Sequence, residues 1–83
     1  MQSTDIVLSS HARMQMQRRG VTLEDVALTL QFGEHVIGEE DDTMEAYVEL
    51  DGKPITVVYR SVEHQINGLF FVITVLRRRC RGQ

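Results

Sequence analysis

His11 stands near the start of a stretch with helical signals, Ser9-Ser10-His11-Ala12-Arg13-Met14-Gln15-Met16-Gln17-Arg18-Arg19-Gly20, and two adjacent arginines close it. A histidine that exchanges protons and guanidinium groups that bind anions are the side chains that phosphate chemistry uses. With Ser10 as N-cap, His11 takes the first helical position, among the free N–H groups of the first turn, so a base and an anion site would meet there. His11, Gln15 and Arg18 or Arg19 recur at helical spacing and are predicted to share one face, with Ala12 and Met16 turned to the core. The same residues also serve ordinary capping: Gly20 suits the left-handed position after the helix, and Arg18 and Arg19 suit the negative end of its dipole.

Other chemistry-bearing residues are scattered. Arg60 ends an extended run, and with Arg19 it is a candidate cation for a phosphate. Alternation places Thr74 on the same side of its strand as Phe70, Val72 and Leu76, where its hydroxyl would bond His11, a substrate or simply the backbone. Arg77-Arg78-Arg79-Cys80-Arg81 reads as an RNA-backbone contact, as a pairing surface for an acidic partner or as a solvated tail. His35 and His64 have no ligand spacing with each other or with Cys80, so no metal site is predicted. Glu39-Glu40-Asp41-Asp42 lacks the glycine and alternating oxygens of a calcium loop, and no cofactor-binding motif occurs.

These residues need elements to hold them. Residues 6–8 form a short apolar lead-in, either a strand or an arm on the core. A first helix runs from about His11 to Arg19. Thr22 with Asp25 makes a capping-box signal for a second helix, in which Leu23, Val26, Ala27 and Leu30 form the buried face and Gly33 the end. The period then becomes extended. Residues 35–37 predict a strand, 39–42 a turn, and Met44, Ala46, Val48 and Leu50 alternate with polar partners toward Asp51-Gly52, a strong hairpin signal. Pro54 opens the next strand, and residues 69–76 are apolar on both faces. The prediction is an α+β fold: an N-terminal αα-hairpin on one face of a three- to four-stranded antiparallel sheet. The other face needs a cover, from the N-terminal arm, a loop or a second chain.

Eighty-three residues allow a single small domain, predicted over residues 1–76 with a basic tail at 77–83. The composition is that of a soluble chain, without a bilayer-length apolar run or a signal peptide, so no membrane is expected and the cytoplasm is the default. The single Cys80 agrees with a reducing compartment. The net charge of −3 conceals segregation, because residues 21–51 hold ten acids and no base. All eight arginines lie outside that block, so local potential rather than net charge governs what binds.

Ser9-x-His11-Ala12, Met16, Arg19-Gly20-Val21-Thr22, Tyr59-Arg60 and Val72-Ile73-Thr74-Val75 resemble the motifs of a small bacterial domain-of-unknown-function family. That family is grouped with the barnase, EndoU, colicin and RelE ribonuclease-like fold, the fold of the RelE and ParE toxins. The resemblance implies a RelE-like toxin module, a metal-independent endoribonuclease without cofactor, and an antitoxin or another protein as partner. It places the family's histidine on His11, its arginine before glycine on Arg19 and its late-strand threonine on Thr74. His11 would be the base, with Arg19 and Arg60 on the phosphate and RNA held by Arg18, Arg77, Arg78 and Arg79. Where the family often has a second basic residue, Gln15 stands. That departure and the acidic middle segment favour the alternative, a non-catalytic protein-binding module, either a ParE-like inhibitor or an accessory protein that dimerises through its sheet.

Overall fold

A computed structural model describes residues 6–60 and 70–78. In chain order these form β1 (Ile6–Leu8), α1 (Ser10–Arg19), α2 (Leu23–Phe32), β2 (Glu34–Ile37), β3 (Thr43–Leu50), β4 (Lys53–Arg60) and β5 (Phe70–Leu76). Both helices end where local chemistry ends them. Gly20 supplies the left-handed residue after α1, at φ 67°. At Thr22 the capping box is complete: its Oγ1 accepts from the Asp25 N–H, and the Asp25 carboxylate accepts from the Thr22 N–H, both at 3.1 Å. Gly33 ends α2 in extended rather than left-handed backbone. Its role is close approach, since a Cβ there would lie 2.5 Å from the carbonyl oxygens of both Thr29 and Tyr47.

The sheet is five-stranded and mixed, in the order β1-β5-β4-β3-β2, which corrects the expected three or four antiparallel strands. The lead-in at residues 6–8 pairs parallel with β5, Ile6 opposite Phe70 and Leu8 opposite Val72. The physical reason lies in the path of the chain. The helical hairpin carries it from one sheet edge to the other, and the antiparallel run β2 to β5 brings it back beside β1. Residues 6–8 therefore widen the sheet by one strand and do not lie across its second face. Asp51 and Gly52, at φ 55° and 78°, close the β3–β4 hairpin with Leu50 opposite Lys53, as the sequence predicts.

The helices share one face of this sheet, α1 over β1 and β5 and α2 over β3 and β4. Ala12, Met16, Val21, Val26 and Leu30 bury against Ala46, Ile55, Val57, Val72 and Val75. Leu23 departs from the expected buried face of α2 and is exposed. Thr29 is buried in that helix instead, its hydroxyl donating to the Asp25 carbonyl at 2.7 Å, which satisfies it without a partner in the core.

One polar relay ties the helical layer to the sheet. The Leu30 carbonyl can only accept, so His35 Nε2–H donates to it at 3.0 Å. His35 Nδ1 is thereby the acceptor for the Tyr59 hydroxyl at 2.6 Å. The Tyr59 ring meets Phe70 edge-on at 5.2 Å. Burial raises the Tyr59 phenol above its ordinary 10.0, because desolvation disfavours the phenolate.

Two outcomes follow from this packing. Gly33→Ala should lower unfolding free energy in urea by about 2–3 kcal/mol, since both crowding atoms are backbone. The Tyr59 phenol has a higher pKa folded than unfolded, so its contribution to stability is complete below pH 10.0 and is lost as pH rises through the raised value. Urea melts above that pH should show the loss in the native chain and a smaller one in Tyr59→Phe.

Candidate functional site

The site is built from a defect in β5. Val58 pairs with Thr74 but its neighbour Tyr59 pairs with Val72, so Ile73 is a bulge without a partner on β4. The bulge resets which side chains face the helices. Val72 and Val75 both reach the core, and Thr74 and Leu76 are turned to the opposite face. The simple alternation that puts Thr74 beside Val72 fails for this reason.

The bulge also holds the start of α1. Ser9, not Ser10, is the N-cap: its Oγ accepts from the Ala12 N–H at 3.0 Å. The Ser9 hydroxyl donates to the Ile73 carbonyl at 2.8 Å, and the Ser9 N–H donates to the Val72 carbonyl at 3.0 Å. His11 follows as the second helical residue, exposed, at the rim of the bulged strand.

There, on the sheet face away from the helical core, a groove of about 340 Å³ is lined by His11, Thr43, Glu45, Thr74, Arg78 and the acidic turn, Glu39 and Glu40. Its floor is a single cross-strand row, Glu45 opposite Val58 and Val58 opposite Thr74. The turn is held in place at Thr43, whose hydroxyl donates to the Glu40 carbonyl at 2.6 Å while Gly38 N–H donates to the Thr43 carbonyl at 2.9 Å. Among the described residues the histidine and the glutamates do not converge closely enough to hold a metal ion.

Three of the sequence-predicted residues, His11, Thr74 and Arg78, thus line one groove although they come from opposite ends of the chain. Arg19 and Arg60 do not line the groove. Arg19 Nε donates to Gln15 Oε1 at 2.7 Å near the far end of α1, and Gln15 is buried rather than sharing an open face with His11. Arg60, the last residue of β4, is exposed and pairs with Thr43 on one side and Phe71 on the other. Arg77 is half-buried, and its Nε donates to the Arg19 carbonyl at 3.1 Å, so Arg18, Arg19 and Arg77 gather at the C-terminal end of α1. Arg78 is tied down by its carbonyl, which accepts from the Thr56 hydroxyl at 2.5 Å. Arg79, Cys80 and His64 lie outside the described residues.

Glu45 is the groove residue that sequence reasoning passes over. Alternation places it on the face away from Met44 and Ala46, which reads as solvent, yet it is only 7% exposed. The available signal was an acid in the middle of a strand with apolar neighbours on a sheet too wide for its second face to stay open.

No helix among the described residues is long and apolar enough to cross a membrane. Residues 8–77 match a domain of unknown function, DUF4258. No curated protein and no solved structure matches the chain.

The Ser9 contacts carry a testable consequence. Ser9→Ala removes a cap and the tie to Ile73, and chemical denaturation should show a loss of about 1–2 kcal/mol. Ser10→Ala, by contrast, should change stability by less than about 0.5 kcal/mol.

Proposed function

The chain belongs to the DUF4258 family, and from that premise we propose that it is a RelE-like toxin module acting as a metal-independent endoribonuclease, with its reaction centre in the His11 groove. The observation that carries this reading is the meeting of His11 and Thr74 in one groove with Arg78. A base, a hydroxyl donor and a cation are what cleavage by the ribose itself requires.

In the proposed reaction, neutral His11 takes the proton from the ribose 2′-hydroxyl. The 2′-oxygen forms a bond to the adjacent phosphorus, the bond to the 5′-oxygen breaks, and that oxygen takes a proton from a solvent water, whose hydroxide in turn takes up the proton that His11 removed. The products are a 2′,3′-cyclic phosphate and a 5′-hydroxyl. Arg78 and Thr74 supply the positive charge and hydrogen bond for the phosphoryl oxygens. Arg78 takes the role that the resemblance implies for Arg19 and Arg60. Glu39, Glu40 and Glu45 line the same groove. They repel the phosphodiester, so binding energy must come from elsewhere. The cluster of Arg18, Arg19 and Arg77 lies about 12 Å along α1 from His11, and it would grip the RNA backbone beyond the scissile bond.

The glutamates favour one other reading. A groove with three carboxylates suits a basic protein segment, which is the non-catalytic binding module, ParE-like or accessory.

Incubating wild-type, His11→Ala and Arg78→Ala proteins with total RNA in EDTA separates the two. The endoribonuclease reading expects fragments ending in 2′,3′-cyclic phosphate, with rates lowered roughly 10²–10⁴-fold in His11→Ala while the circular dichroism spectrum is retained. Intact RNA with folded wild-type protein would refute cleavage and leave the binding module. Equal cleavage by His11→Ala would refute the assigned base.

A further inference from the structure

On the opposite side of the molecule, a second hollow of about 520 Å³ lies between α1, the link into α2 and the end of β1. Its apolar walls include Leu8, Met14 and Leu23, and Met14 and Leu23 are 50% and 53% exposed. Two half-exposed apolar side chains on either side of one hollow offer a contact for an apolar group, and methionine adapts its shape to whatever fills the space.

Arg13 is the one charged residue among those that line the hollow, and Arg18 stands one turn beyond Met14 on the same helix face. Both are exposed, and α1 carries no acidic residue. The neighbouring acids, Glu24 and Asp25, follow Leu23 in the first turn of α2, where the Asp25 carboxylate is engaged by the Thr22 N–H. We propose that this hollow is the docking site for an acidic amphipathic helix of a partner protein. Its apolar side chains enter between Met14 and Leu23, and its carboxylates meet Arg13 and Arg18. RNA would satisfy the arginines but leave the apolar walls uncovered. A second copy of this chain fits less well, because its densest acidic run is held in the tight turn between Gly38 and Thr43, not along a helix. The proposal does not depend on whether the His11 groove cleaves RNA.

The test uses the full chain and two fluorescent amphipathic peptides that share one leucine stripe and differ only in glutamate or lysine at the flanking positions, read by anisotropy. The glutamate peptide should bind about tenfold tighter or better, and weaken as salt rises. Met14→Asp should lower its affinity by about tenfold or more. The double variant Arg13→Glu with Arg18→Glu should reverse the preference to the lysine peptide. All these positions are exposed, and circular dichroism verifies that each variant folds. Equal affinity for both peptides, an unreversed preference or no binding of either would overturn the proposal. So would a dimeric wild-type chain that Met14→Asp converts to a monomer, since a second copy would then be the occupant.

Discussion

The attachment of Ser9 to the β5 bulge is the contact on which the rest of the structure turns. One serine caps α1 through its Oγ, bonds the Ile73 carbonyl through its O–H and the Val72 carbonyl through its N–H. The carbonyl of Ile73, a residue that β4 leaves unpaired, is satisfied by this contact and the first turn of the helix is anchored by it. The direction of α1 across β1 and β5 follows, and with it the burial of Ala12 and Met16 and the position of His11 at the groove rim. The same bulge turns Thr74 away from the core. A local irregularity in one strand therefore sets both partners of the proposed reaction centre.

The two faces of the sheet solve different problems. The helical face is filled chiefly with apolar side chains, and its polar groups are satisfied locally: Thr29 by the Asp25 carbonyl, Gln15 by Arg19, and His35 by the Leu30 carbonyl and the Tyr59 hydroxyl. The other face carries Thr43, Glu45 and Thr56, all buried. Burying such groups costs free energy unless hydrogen bonds compensate. Thr43 and Thr56 find backbone carbonyls, of Glu40 and Arg78, and in doing so they hold the acidic turn and the start of the arginine run against the sheet. The polar character of this face thus organises the walls of the groove.

Charge segregation along the chain becomes segregation in space. The acidic middle segment contributes Glu39, Glu40 and Glu45 to one groove, whereas arginines from both ends of the chain meet at the C-terminal end of α1. A polyanion would be held at the second place and strained at the first. That division is the physical content of the proposed ribonuclease, in which binding and chemistry occupy separate ends of one helix.

Local chemistry was legible in the amino-acid sequence. The capping box at Thr22 and Asp25, the left-handed Gly20, the Asp51-Gly52 hairpin and the alternation from Met44 to Leu50 each depend on residues a few positions apart, and all occur as read. His11 and Thr74 were singled out by residue type and motif. Their meeting in one groove was decided by tertiary structure. So were the parallel pairing of β1 with β5, the N-cap at Ser9 rather than Ser10, the face of Thr74, the outward turn of Leu23, and the place of Arg78, not Arg19 or Arg60, in the lining of the groove. Each of these depends on partners far apart in the chain: β1 with β5, Ser9 with Ile73, Thr56 with Arg78. Short-range periodicity carries no information about such pairings, and one bulged residue is enough to invert the face that it predicts.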